Sequence, residues 1–273
     1  MKQTLKKFAL QYLSPVFRQI GPVSKRIKLP KNDAVYNVLV IGVVLANKEN
    51  YFDHIVNVLG QSKHSVTQYW VSLFGSLTTN VSNVKIENFD SPMPRNNIIN
   101  YVINHLDISK YDYIIVCDDD IKLPIDFLDK YLYIQNKLNF SIAQPARTNL
   151  SHISHGITRR RFWLIARKTI FVEIGPLVSF QKDIFKHIFP FDTTTPMGWG
   201  LDYVWPVIIQ SLQKSMGIID ATPVDHSLRE TAKSYSEEKA HVDLALYQSK
   251  HRHFKRAEAQ VNLKTYYSRD LHK

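Results

Sequence analysis

One cysteine, Cys117, stands among 273 residues. A single thiol excludes an intrachain disulfide framework and any zinc site built on cysteines, and it fits a reducing compartment. Glycine and proline are sparse, at 9 and 12, which excludes collagen-like and linker-dominated chains. Long apolar runs are missing as well. The longest, "VLVIGVVLA" at residues 38–46, falls far short of the roughly 20 residues of a spanning helix. It also lies too deep in the chain for a secretory h-region. Neither GxGxxG nor GxxxxGK followed by Ser or Thr occurs, so dinucleotide and P-loop phosphate binding have no motif behind them. No internal repeat or low-complexity tract interrupts the chain.

What is present is a globular composition, 44% hydrophobic, 12% aromatic and 22% charged, long enough for one large domain. The net charge of +11 suggests an anionic partner, but acids are absent from residues 1–31, which hold eight Lys and Arg. Thus +8 of the +11 sits in that arm and +3 on all the rest, and the basic signal says little about the domain. Leu5, Phe8, Ala9, Tyr12 and Leu13 recur among the lysines at helical spacing. The arm is either an amphipathic helix for an anionic membrane surface or a solvated basic segment.

Along the chain, "VYNVLVIGVVLAN" (35–47) reads as a buried strand and 49–61 as a helix with a Gly stop. Strands follow at 64–75 and 83–89, and a helix at 91–107. Residues 111–124 form a buried strand, 125–139 a helix and 140–146 a strand. Residues 161–180 read as a hairpin or long strand pair, 181–192 as a helix, 197–213 as a loop feeding a helix, and 214–227 as a strand and loop. The alternation predicts an α/β fold with a mostly parallel central sheet flanked by helices. The expected organisation is a basic arm (1–34), a single domain (35–236) and a basic helical extension (237–273).

The most informative feature is Asp118, Asp119 and Asp120, directly after the apolar "YIIVC". Ligands of open α/β sheets bind beyond the carboxyl ends of strands. Three adjacent carboxylates repel one another, and a divalent cation is their natural neutraliser. Strand alternation turns Asp118 and Asp120 the same way and Asp119 elsewhere. Helix capping near Pro124 is the bland alternative; one Asp suffices for a cap, and three leave that account incomplete. A metal on two aspartates suits departure of a diphosphate. A two-metal nuclease uses the same residue types.

Other candidates are weaker singly. "GWGLDY" (198–203) sets Asp202 at the start of an apolar helix. It is either a helix cap or a general base for an acceptor hydroxyl, with Trp199 either in the core or stacked on a sugar face. His226, in "VDH", is either structural or a metal ligand. A mixed O/N ligand set favours Mn2+ over Mg2+. Arg95 opens a helix, where phosphate binds well. "TRRRF" (158–162), flanked by His152 and His155, is a solvated loop or a face for a diphosphate or an acidic acceptor.

Together, a strand ending in Asp-x-Asp, a Gly-Trp-Gly-x-Asp loop and a later His resemble the core of GT-A glycosyltransferases. "RNNIINYVINHLDISKYDYIIVCDDDIKLP" is similar to the stretch through the metal motif of family 2 enzymes. "WGLD" resembles their Trp-Gly-x-Asp base motif, with Leu201 where an acid is usual. "YDYIIVCDDDI", "IAQPA", "FVEIGPLVSF", "GWGLDY" and "GIIDATPVDH", in this order over roughly 36–230, also resemble the family catalogued as domain of unknown function 707. The resemblance implies the GT-A fold and glycosyl transfer, with Asp118, Asp120 and His226 at Mn2+ or Mg2+ and Asp202 as base. The nucleotide-diphosphate sugar would then meet Ala46, Asn47, Asp90, Arg95 and Asp119.

The expectation is an inverting, metal-dependent glycosyltransferase, cytoplasmic and peripheral on the inner face of the membrane. Its acceptor would be a glycan or lipid-linked, in surface polysaccharide or lipopolysaccharide synthesis. Nucleic acid is not an expected partner. The rival expectations are a metal-dependent phosphoesterase or nuclease, for which no second carboxylate cluster stands out, and a non-catalytic binding module.

Overall fold

The computed structural model describes residues 27–230 and 236–272. Nearly all of the expected basic arm, residues 1–26, lies outside them. Among the described residues, no helix is long and apolar enough to cross a membrane.

Among the described residues, nine strands build one sheet in the order β3-β2-β1-β4-β7-β5-β8-β6-β9. They are β1 Asn37–Leu45, β2 Ser65–Leu73, β3 Val84–Phe89, β4 Tyr113–Asp118, β5 Ile142–Arg147, β6 Ala166–Thr169, β7 Leu177–Gln181, β8 Met216–Val224 and β9 Asn262–Tyr266. β1 pairs in parallel with β2 and β4, β2 with β3, and β5 with β8. β7 runs antiparallel between β4 and β5, and β6 antiparallel between β8 and β9. Seven strands therefore end at one edge, where β6 and β7 begin. The helices are α1 Phe52–Gly60, α2 Arg95–His105, α3 Phe127–Lys137, α4 Phe185–Ile188, α5 Leu201–Ser211, α6 Glu237–Lys250 and α7 Arg256–Ala259.

Both faces of the sheet are covered, so its central strands are buried along their length and mainly apolar. In β1, Val38, Val40 and Val44 pack with α1 and α3, while Leu39 and Ile41 pack with α2 and α5. Gly42 is dictated by a neighbour, since a Cβ there would lie 2.1 Å from the Trp70 ring. Each fully buried Val, Leu or Ile contributes roughly 1.5–3 kcal/mol.

The expected elements of the first 150 residues are all present, and the fold is α/β with a mostly parallel core. Residues 161–180 do not form a hairpin. They supply β6 and β7, which lie apart in the sheet and never pair. Residues 181–192 hold only a 3-10 turn and the single turn α4. The C-terminal segment is not wholly helical, because β9 joins the sheet edge through β6.

Candidate active site

The acidic triplet sits where β4 leaves the sheet, and neighbouring loops hold it there. The Asp118 N–H donates to the Pro176 carbonyl at 2.8 Å, and the Tyr51 N–H donates to the Asp119 carbonyl at 2.6 Å. The Asp119 Oδ2 accepts from the Leu45 N–H at 2.8 Å, tying the triplet to the end of β1. Lys122 and Asp225 exchange backbone hydrogen bonds of 2.8 and 3.1 Å. That bridge carries the turn after Asp120 against the end of β8, and so brings His226 beside it.

The three carboxylates meet different partners. Asp118 pairs with Arg95 at the start of α2 (3.1 Å), and Arg95 also donates to the Ile174 carbonyl at 3.2 Å. Asp119 and Asp120 share Arg229. Its guanidinium grips both Asp119 oxygens, donates to Asp120 Oδ2 at 3.1 Å and reaches the Glu49 carbonyl at 3.4 Å. His226 Nε2 stands 3.3 Å from Asp120 Oδ1. Burial pushes Asp119 up to about 6, against the pull of Arg229. Asp120 is also penalised by burial, but His226 and Arg229 outweigh this and leave it below its usual range.

Strand alternation placed Asp118 with Asp120, and the structure instead gathers Asp119 and Asp120 on one guanidinium with Asp118 on another. Among the described residues, no group of three or more His, Cys, Asp or Glu is arranged to hold a metal ion. The expected trio of Asp118, Asp120 and His226 is thus not assembled as a ligand set. Two of its members do fit a cation. Asp120 Oδ1 is buried with His226 Nε2 3.3 Å away, and this oxygen with this nitrogen offers the mixed O/N donors that suit Mn2+.

Asp202 lies in a second group. Gly198 and Gly200, with φ of +87° and +96°, shape the turn before α5. At both positions a Cβ would also collide, 2.5 Å from Ile174 Cδ1 and 2.8 Å from Leu244 Cδ1. Asn96, next to Arg95, holds this loop by donating to the carbonyls of Thr195 (2.7 Å) and Asp192 (3.2 Å). Pro206 has no N–H to give the Asp202 carbonyl, which loosens the first turn of α5.

The Asp202 side chain is buried, and its Oδ1 has no partner. Burial first, and the nearby Glu173 charge second, push it up to about 8, against backbone amides of Asp202, Gly200 and Tyr203. Glu173 is buried too and pairs with Arg147 at 2.7 Å. Arg147 in turn donates to the Gly175 carbonyl at 2.9 Å. The strip Ile174–Gly175 therefore lies between the two groups, held by Arg95 from one side and Arg147 from the other.

The remaining expected residues are placed as follows. Ala46 and Asn47 follow β1, half-buried and exposed respectively, next to the Leu45 amide that Asp119 holds. Asp90 is exposed just past β3 at the same edge. Trp199 packs edge-on against His241 of α6, with ring centroids 5.0 Å apart. Arg229, Glu173 and Arg147 were not anticipated. The only trace of the last two in the sequence is a charge inside an otherwise apolar strand-like run.

No family model matches the chain, and no curated protein matches it. Solved structures do. GalNAc-T7, crystallised with UDP, GalNAc and Mn2+, superposes with a TM-score of 0.51 at 10% identity, over 70% of this chain and 43% of that one. TarS 1–349 of S. aureus, in complex with UDP-GlcNAc, gives 0.54 at 10% identity, over 81% of this chain and 68% of that one. The present chain thus spans less than half of the GalNAc-T7 chain. At this identity the likeness is one of fold. The architecture is that of the GT-A glycosyltransferases.

Proposed function

We propose that the chain is a metal-dependent glycosyltransferase that moves a sugar from a nucleotide-diphosphate donor to an acceptor hydroxyl with inversion. The observation that carries this reading is Asp202, a buried carboxyl with one oxygen unpartnered that feels the charge of Glu173, next in the chain to the strip that Arg95 ties to the acidic triplet. The UDP, GalNAc and Mn2+ bound by GalNAc-T7 and the UDP-GlcNAc bound by TarS support the class.

Asp120 and His226 are the residues that would hold a divalent cation, with Mn2+ favoured over Mg2+. When bound, the cation supplies charge neutralisation for a departing diphosphate. The chain's own residues do the rest. Arg95 and Arg229 already neutralise carboxylates at this edge and are placed to attract phosphate oxygens as well. The turn at Ala46–Asn47, beside Asp119, offers a seat for the nucleotide, and Asp90 lies on the same rim. Asp202 takes the acceptor proton at Oδ1 once its own proton has left, with Trp199 near for the sugar. One base acting on the hydroxyl opposite the leaving group gives in-line attack and therefore inversion. The acceptor is a glycan or lipid-linked, and the site of action is the cytoplasmic face of a membrane reached through residues 1–31.

The test is thermal-shift screening of nucleotide sugars with and without Mn2+. Stabilisation by a diphosphate donor only when metal is present supports the reading. Indifference to every nucleotide sugar, with metal and without, refutes it.

A further inference from the structure

The triple-arginine segment is absorbed by neither carboxylate group. Residues 159–164 cross the sheet's carboxyl edge just before β6 and are pinned there by their backbone. The Arg160 N–H donates to the Arg147 carbonyl at 2.9 Å, and the Arg161 N–H to Asp220 Oδ1 at 2.7 Å. Asp220 is itself buried and held by Arg167 at 2.8 and 3.1 Å. It is therefore not available to the side chains of Arg160 and Arg161. No ion pair among the described residues involves Arg159, Arg160 or Arg161. Arg160 Nε is buried with no acceptor, and burial pulls this guanidinium below its usual range with only partial relief from Asp220.

Around these cations a cavity of about 380 Å³ opens, lined by Arg160, Arg161, Phe162, Trp163, Leu164 and Tyr267. Trp163 is 66% exposed, an unusual cost for so large an apolar ring. Phe162 and Tyr267 are exposed as well. Arg160 stacks over Phe162 at 4.9 Å from the ring centroid, and Arg269 over Tyr267 at 5.6 Å. The volume falls in the range of small-ligand sites.

We infer that this groove binds an acidic saccharide segment, with carboxylate or phosphate groups on Arg160 and Arg161 and a sugar face on Trp163. An unpaired guanidinium is a fork that matches a carboxylate or phosphate in two-point contact. An exposed indole presents the flat apolar surface that the C–H face of a sugar ring covers. Guanidinium groups and aromatic rings lining one short groove suit a chain lying in it better than a planar lipid surface lying across it. The groove also adjoins the enzyme site, because the carbonyl that anchors Arg160 belongs to Arg147, the partner of Glu173 beside Asp202. That the saccharide is the acceptor rests on the glycosyltransferase reading; that the groove binds it does not.

The experiment is calorimetric titration of the full chain, without nucleotide or metal, with three probes. They are a short oligogalacturonate, a malto-oligosaccharide of equal length and phosphatidylglycerol vesicles. Oligogalacturonate is expected to bind, to weaken about tenfold or more in Arg160→Ala/Arg161→Ala and in Trp163→Ala, and to recover largely in Trp163→Phe. The neutral sugar and the vesicles are expected not to bind. An unchanged unfolding temperature for Trp163→Ala separates lost contact from lost fold. Failure of oligogalacturonate to bind, equal binding of the neutral sugar, indifference to the variants, or binding of vesicles alone overturns the inference. Nucleotide-sugar thermal shifts run on the same preparation keep the two readings apart. A chain that answers to nucleotide sugar and not to oligogalacturonate loses the groove alone, and the converse result leaves the groove without the enzyme.

Discussion

Arg229 and Asp120 form an ion pair of 3.1 Å where β4 leaves the sheet, and the same guanidinium also holds Asp119. Asp120 is thereby compensated from two sides, by Arg229 at Oδ2 and by His226 at Oδ1. The cation expected on Asp118 and Asp120 has, at Asp120, a side-chain counterpart already in the chain.

Removing that counterpart should make the fold depend on added metal. Arg229→Ala leaves two buried carboxylates facing each other, at a cost of about 3–5 kcal/mol for an unpaired buried charge, less whatever solvent relieves. The expected outcome is a lower unfolding temperature at pH 7 and a larger stabilisation by Mn2+ than the unaltered chain shows. Equal Mn2+ responses in the two chains would mean that Arg229 and the metal do not compete for Asp120.

Asp202→Asn should separate chemistry from stability. Loss of a general base lowers transfer by roughly 10²–10⁴-fold, while nucleotide binding at the acidic triplet, which Asp202 does not touch in this reading, is spared. The carboxyl also titrates near 8 in the fold and near 4 when unfolded. Between those values the unfolded chain is ionised and the folded one still protonated, so stability falls as pH rises, by up to about 1.4 kcal/mol per unit. The Asn variant carries no such slope. It should therefore gain on the unaltered chain progressively from pH 4 to pH 8, as read by denaturant titrations across that range.

The pH dependence of transfer should rise on a limb near 8, since Asp202 accepts a proton only after losing its own. Glu173 is the second cause of that elevation, after burial. Glu173→Gln removes one negative charge while keeping a hydrogen-bond acceptor for Arg147, so the limb should move to lower pH. A rate profile with its limb unmoved in this variant would detach Glu173 from the base.

Much of this site could be read in the sequence, and the reason is local. Asp118–Asp120 announce themselves because a buried strand rarely ends in three carboxylates, and β1, β2 and β4 are legible because burial on both faces favours runs rich in Val, Ile and aromatic residues. What escaped depends on partners distant in the chain. Arg229 meets Asp119 across 110 residues, and Arg147 meets Glu173 across a strand and a loop. β9 carries no apolar pattern, since four of its five residues are exposed and only its pairing with β6 makes it a strand. The separation of β6 from β7 is likewise a matter of which neighbour each finds, and the apolar run 161–180 is silent on that.

The same locality bounds what one methyl group can do in the core. Gly42 sits in the middle of β1, flanked in the sheet by Trp70 of β2 and Cys117 of β4. A Cβ would meet the Trp70 ring at 2.1 Å. That ring is wholly buried, packed against Phe52 with centroids 5.3 Å apart, and its indole N–H donates to Gln68 at 3.2 Å. It cannot withdraw without giving up these contacts, so Gly42→Ala should cost about 1–3 kcal/mol or more by overpacking. Gly42→Ala with Trp70→Leu relieves the overlap and should recover part of the loss, as the two residues share one contact. Additive losses in that double variant, measured by denaturant unfolding, would place the strain somewhere other than the Trp70 ring.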